Sequence, residues 1–322
     1  MTTRSSSHTS APNSVTGRTQ KAPLSSLPPE DALLLRGFLL ELRGSGRAQG
    51  TLTIYGESVR FLSRFCQDQG MPSLANVTAE HVREFMADLA SRNKPASVHA
   101  RYRALKRFFK WLVTEGVRND NPMDRIKPPL LPELIQPHYQ PQELETVLKA
   151  CRDSSSYGLR DRAIILVLYD TGVRTAEVCG MEVSHINWDD QTILVTGKAG
   201  KQRRVSFGAK AGAAIDRYLR KRGVKSPWLW LSSGNKPMTA NGLRMMLERR
   251  FESAGIRFRG AHAFRRAFAI GFLEAGGQES DLKELAGWKG YDMVQRYARA
   301  TAGERAARAH KKLSPGDRLR VR

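Results

Sequence analysis

Four prolines fall within residues 128–140, and no helix can run through them. Proline lacks a backbone N–H and disfavours helical geometry in the residue before it. Asn121-Pro122 and Lys127-Pro128-Pro129 set further stops at the upstream edge. This punctuation divides the 322-residue chain into two bodies joined by an extended, semi-stiff linker over 128–140. Residues 29–127 read as one helical domain and 141–300 as a second, mixed one. Residues 1–28 are rich in Ser, Thr and Pro and poor in large apolar side chains, the pattern of a disordered tail. Residues 301–322 carry seven Lys or Arg against two acids and read as a basic tail.

Apolar spacing fills in the first body. Over 31–43 the chain is dense in leucine. Leu52, Tyr55, Val59, Leu62 and Cys66 step by three and four along a helix over 51–67, with Thr51 as its expected N-cap. Thr78 caps a helix over 78–91 whose stripe is Val82, Phe85, Met86 and Leu89. A helix over 97–114 buries Val98, Tyr102, Leu105, Phe109 and Leu112, and its opposite face carries Arg103, Lys106, Arg107 and Lys110. A charged helix face is usually just solvated. Here all four charges are positive and none has an acidic partner four residues away, which favours contact with phosphate.

In the second body, 141–151 and 159–169 read as helices, Thr171-Gly172 breaks the second, and a short helix begins at Arg174. The β-branched runs 192–195 and 203–207 flank Gly197-Lys198-Ala199-Gly200-Lys201, the signature of a β-hairpin with a glycine-rich turn. Helices are expected at 209–222, 239–254, 263–275, 280–286 and 292–300. The fold class is therefore mainly α with a small β-hairpin.

Composition narrows the function. Fifty-three basic and 31 acidic residues give a formal charge of +22, with an isoelectric point near 10.4. Such a balance points to a polyanion, and nucleic acid is the default. Arginines number 37 and lysines 16; guanidinium forks suit phosphate oxygens, although a GC-rich genome would give the same bias. No run approaches the roughly 18 apolar residues of a membrane span, and residues 1–18 show no secretory pattern. Cys66, Cys151 and Cys179 form no disulfide or zinc spacing, so they read as thiols of a reducing cytoplasm. There is no P-loop and no carboxylate cluster suited to metals, so neither a cofactor nor a metal is expected.

Several polar residues stand where folding alone does not need them. Arg174 and Glu177 are three apart at a helix start, and in isolation a surface ion pair explains them. His262 and Arg265 share one face of an apolar helix. Lys198 at a hairpin tip is usually solvated, and Trp288 and Tyr297 are usually core aromatics. Their order along the chain says more. Thr171-Gly172-Val173-Arg174-Thr175-Ala176-Glu177, Gly197-Lys198-Ala199-Gly200-Lys201-Gln202-Arg203, His262-Ala263-Phe264-Arg265, Leu285-Ala286-Gly287-Trp288 and Tyr297 together resemble the five blocks of the tyrosine recombinase, or phage integrase, family. The likeness extends over nearly all of 31–300, in the compact two-domain, Xer-like form without an added arm-type domain. Arg266 stands where a histidine is common, and Trp288 where many members carry histidine.

The resemblance implies a site-specific DNA recombinase that cuts and rejoins strands through a 3′-phosphotyrosyl intermediate. It implies a helical, SAM-like core-binding domain over 29–127, double-stranded DNA as partner, and a homotetramer on two sites or pairing with a related recombinase. Tyr297 is then the nucleophile. Arg174 and Arg265 clamp the non-bridging oxygens as charge grows in the transition state. Glu177 supports Arg174 and extends to His262, the base for a phenol of reference pKa near 10. Lys198 protonates the leaving 5′-oxygen, and Trp288 packs against the phosphate or donates its N–H to it. Lys201 and Arg203 join the helix face as DNA contacts. Two other readings use the same residues. A type IB topoisomerase would share the chemistry without choosing a sequence. A non-enzymatic DNA-binding protein would leave the polar set unexplained.

Overall fold

The structure, a computed structural model, describes residues 27–131, 137–151, 154–197 and 200–320. The chain divides into two compact units, 1–133 and 134–322, and the division falls inside the proline-rich stretch. No helix among the described residues is long and apolar enough to cross a membrane.

The first unit consists of helices α1 (Pro29–Gly44), α2 (Gln49–Asp68), α3 (Ala79–Arg92) and α4 (Pro95–Thr114), followed by a short 3₁₀ turn, Pro122–Arg125. The stripes read from spacing are its core: Val59, Leu62, Val82, Leu105, Phe109 and Leu112 are buried, with Phe38 and Phe108 wedged edge to face between them. The side chain of Thr78 caps α3 by accepting from the backbone N–H of His81. Thr51 is not a cap. Helix α2 starts at Gln49 after Ala48, because the Thr51 N–H is already spent on the Ala48 carbonyl in a first turn at 2.8 Å. Proline at the first position of α1 and α4 explains two starts, since its missing N–H is one that no helix uses there.

In the second unit, α5 (Pro141–Ala150), α6 (Ser156–Thr171) and α7 (Thr175–Cys179) precede a three-stranded antiparallel sheet, β1 (Ile186–Asn187), β2 (Thr192–Thr196) and β3 (Gln202–Ser206). Then follow α8 (Ala209–Lys221), α9 (Ala240–Ser253), α10 (His262–Glu274), α11 (Glu279–Ala286) and α12 (Asp292–Leu313). Ile193 faces Val205 and Val195 faces Arg203 across the hairpin. Ile193, Val195 and Val205 are buried, so this face of the hairpin points into the core. The two-residue strand β1 is too short to show an alternating pattern.

Two sequence expectations shift here. Tyr139, placed in the linker, is 1% exposed and packs between Phe251 and Phe264 with ring centroids 4.6 and 4.7 Å away. An aromatic anchor outweighs the prolines around it. The helix expected to stop at residue 300 runs to Leu313. Four alanines between residues 302 and 309 favour helix, and the first strong stop is Ser314-Pro315.

Candidate active site

Two left-handed glycines aim the site. Gly172 ends α6 at φ +57°, and a Cβ there would meet the Phe268 ring at 2.4 Å. Only glycine permits both the turn and the close approach. The chain then reverses so that Arg174 becomes the N-cap of α7. Gly287 ends α11 at φ +65°, which delivers Trp288 toward α12 and its Tyr297.

Glu177 anchors the first half. It is 2% exposed, yet its carboxylate accepts four hydrogen bonds. The Arg174 backbone N–H donates to Oε2 at 2.8 Å and the Arg174 guanidinium to Oε1 at 2.9 Å. Arg203 donates from both terminal nitrogens, at 2.7 Å to Oε1 and 3.0 Å to Oε2. Burial alone would raise this carboxyl; the bonds from Arg203 and Arg174 overcome burial and bring it down to about 2. Glu177 is thus ionised at any working pH. His262 is not among its hydrogen-bond partners, so the support expected for His262 from Glu177 is absent among the described residues. The side chain of Arg174 remains 45% exposed.

Arg265 and the two aromatics form the second half. Arg265 is 2% exposed, with one terminal nitrogen donating to the Gly172 carbonyl at 2.7 Å and the other to the Ala286 carbonyl. Both acceptors lie beside the glycine turns. Its guanidinium sits 5.1 Å over the Trp288 ring, and Trp288 stacks on Tyr297 with centroids 5.6 Å apart and planes 19° from parallel. Trp288 therefore contacts both cation and phenol. Burial, then the charges of Arg174 and Arg203, push the Arg265 guanidinium down to about 10, the mark of cations held together.

The remaining groups differ in their environment. Burial raises the Tyr297 phenol, and the charges of Arg266, Arg265 and Arg296 oppose that rise. His262 opens α10 at an exposed position. The surrounding protein, then Arg266, Arg265 and Arg174, lower its imidazole below 6.5. At neutral pH it is an uncharged base. Arg174, Arg203 and Arg265 thus lie around one buried acid, and His262 stands near Arg174 and Arg265, an arrangement suited to an anion whose charge grows during reaction.

Lys198 lies outside the described residues. Its neighbours close the turn, with the Gly197 N–H donating to the Lys201 carbonyl at 2.8 Å, and Lys201 is exposed. Arg203, read from sequence as a DNA contact, is turned inward onto Glu177. On α4, Lys106 lies 3.6 Å from Asp124 and Arg107 3.8 Å from Glu41. These acids are distant in sequence, so the spacing of charges along α4 does not reveal them. Arg103 and Lys110 have no ion-pair partner among the described residues. No group of His, Cys, Asp and Glu among the described residues could hold a metal ion.

Residues 138–304 match the phage integrase family, and residues 34–118 match its N-terminal SAM-like domain. This chain belongs to the phage integrase family. Among curated members, tyrosine recombinase XerC 2 of Ralstonia nicotianae is 31% identical over 76% of this chain and 74% of its own length. The fold is shared with the XerH site-specific recombinase bound to a palindromic difH substrate in a post-cleavage complex. That likeness has a TM-score of 0.70 at 18% identity and covers 91% of this chain and 92% of that one. A lambda integrase tetramer bound to a Holliday junction also matches, at TM-score 0.66 and 19% identity, over 82% of this chain and 76% of that one. Within this phage integrase member, the residues that the five sequence blocks singled out converge on the two glycine turns, Lys198 excepted.

Proposed function

We propose that this chain is a site-specific DNA recombinase that breaks and rejoins duplex DNA through Tyr297. The observation that carries the reading is the stack of Arg265 on Trp288 on Tyr297, beside an Arg174 pinned by a buried, ionised Glu177. The Tyr297 oxygen attacks the phosphorus and the 5′-oxygen leaves, giving a 3′-phosphotyrosyl bond and a free 5′-hydroxyl. One phosphoester replaces another, so the hydroxyl of a second duplex reverses the step without ATP. Arg174 and Arg265 stabilise the growing charge on the non-bridging oxygens. His262, uncharged at neutral pH, accepts the phenolic proton. Lys198 supplies the proton to the leaving oxygen, a role that rests on the hairpin block of the sequence.

Residues 29–127 of the first unit serve as the core-binding domain and residues 141–300 of the second as the catalytic domain. The tetramer seen for lambda integrase on a Holliday junction supports a tetramer on two DNA sites here, with the C-terminal segment docking on a neighbour, in the cytoplasm where the DNA is. The test is to incubate the protein with fragmented genomic DNA, isolate covalent adducts under denaturing conditions, and sequence them. Adducts enriched in one sequence, and absent for Tyr297→Phe, are expected. Adducts without sequence preference point instead to type IB topoisomerase activity, and no adduct at all to a DNA-binding protein.

A further inference from the structure

Arg203 joins three parts of the site that the chain keeps far apart. Strand alternation places it on the face of β3 that also carries Val205, 1% exposed, and its register partner Val195 is buried as well. Its guanidinium forks onto both oxygens of Glu177. Its stem runs beneath the turn before Trp288, where a Cβ on Gly287 would lie 2.9 Å from the Arg203 Cδ and Nε. On the facing strand end, a Cβ on Gly197 would lie 3.2 Å from Glu177 Oε1. The hairpin, the start of α7 and the end of α11 therefore meet at one ion pair.

We propose that Arg203 is a positioning residue that frees Arg174 to engage the scissile phosphate. The proposal rests on the recombinase reading. Glu177 is buried, and a buried carboxylate that loses its cation is strongly disfavoured. Arg174, 45% exposed at its side chain, cannot turn its guanidinium fully to a phosphate unless another cation holds Glu177. Arg203 is that cation. Its side chain is only 16% exposed, and both its terminal nitrogens are committed to Glu177. The same fork fixes the hairpin that bears Lys198 against the turn that bears Trp288. Lysine cannot replace it, because an ammonium is a point charge and does not hold two oxygens in one plane.

The experiment is a double-mutant cycle. Single-turnover cleavage at saturating enzyme is measured for Arg203→Met, Glu177→Gln and the double variant, on a nicked duplex bearing a site identified by adduct sequencing. Arg203→Met should slow cleavage about 10- to 100-fold, below the roughly 10²- to 10³-fold of a donor acting directly on the reacting oxygen. DNA affinity should stay within about threefold of the parent, since no phosphate contact is lost. In the Glu177→Gln background the same change should cost less than about twofold, because its target charge is gone. An equal loss in both backgrounds would reduce Arg203 to packing. Weaker binding with a normal saturated rate would restore it as a DNA contact. Arg203→Lys carries the cycle if the Met variant does not fold. The link is also read without DNA, by NMR titration of the Glu177 carboxyl, which should rise from about 2 by a unit or more in Arg203→Met; an unmoved carboxyl overturns the proposal. A parent protein that forms no Tyr297 adduct defeats the recombinase reading instead, and the titration still decides the role of Arg203.

Discussion

Asp31 in the first unit and Glu177 in the second are carboxylates with 1% and 2% of their surface exposed, yet their partners have nothing in common. Asp31 accepts from the Ser63 hydroxyl and the Leu74 N–H, neutral donors on α2 and the connection to α3. The contact ties three segments of one core together and ends there. Glu177 accepts from two arginines, one of which reaches the surface, and a third, Arg265, stands near. Acid satisfied by neutral donors closes a fold. Acid outnumbered by cations leaves positive charge unspent, and that surplus is what an anionic substrate meets. The difference separates a polar group buried for folding from one buried for chemistry.

The sharpest way to break this comparison is to remove one oxygen. Tyr297→Phe keeps the ring stacked on Trp288 and should bind DNA as the parent does, while the covalent adduct disappears from a denaturing gel. An adduct that persists would move the nucleophile elsewhere and strip the surplus charge of its purpose.

Lys198→Ala comes next, with an expected loss of about 10²- to 10⁴-fold, the range of acid–base groups. A 5′-sulfur leaving group departs as a weakly basic thiolate and needs almost no proton. The variant should therefore cleave a 5′-phosphorothiolate at close to the parent rate, whereas Arg174→Ala should not be rescued. If Lys201→Ala shows the rescue in its place, the acid is three residues further along the turn.

Acidification probes the same surplus more gently. The surrounding protein, then the charges of Arg266, Arg265 and Arg174, lower the His262 pKa below 6.5, so more than half of it is still in the base form at pH 6.5 and the rest is lost as pH falls further. Cleavage by the free enzyme should hold level from pH 7.5 to 6.5 and decline about tenfold per unit below its folded pKa. A midpoint above 6.5 in the rate profile, or the same profile in His262→Gln, would assign the titration to another group.

Asp31→Ala tests the other side. It leaves the Leu74 N–H and the Ser63 hydroxyl buried without an acceptor and should cost about 1–3 kcal/mol in thermal or urea unfolding. Cleavage per folded molecule should be unchanged. A loss of rate out of proportion to unfolding would show that this acid, too, serves the reaction.

Sequence reading reached most of this arrangement because glycine punctuation is local. Thr171-Gly172 and Ala286-Gly287 announce the turns that aim Arg174 and Trp288, and the HxxR spacing places His262 and Arg265 within one helical turn. Arg203, expected as a DNA contact, is turned onto Glu177. The period of two from Val205 already puts it inward, beside Val195, so the signal was present. Other features carry no local signal. Nothing near Lys106 or Arg107 foretells Asp124 or Glu41, because tertiary packing brings those acids in. Tyr139 sits among prolines that mark a linker, and a single aromatic gives no periodic signal of the packing it makes.

Those two ion pairs set the smallest and most discriminating prediction. Arg103, Lys106, Arg107 and Lys110 form one stripe on α4, but among the described residues only the middle two have acidic partners. Both pairs lie at exposed positions and are worth at most about 1 kcal/mol each, so DNA can displace them. Displacement still leaves Asp124 and Glu41 near the phosphates, which offsets part of what Lys106 and Arg107 contribute. Each phosphate neutralised adds about 0.9 to the slope of log K against log salt. Changing Arg103 and Lys110 together to Ala should therefore flatten the slope by nearly 2, and changing Lys106 and Arg107 by about 1 or less. Equal effects would show that the acids swing clear when DNA binds. A larger effect from Lys106 and Arg107 would mean that the ion pairs hold those two cations in the geometry the backbone needs. No change from either pair would return the whole face to solvent, and the first unit would then need another surface to grip DNA.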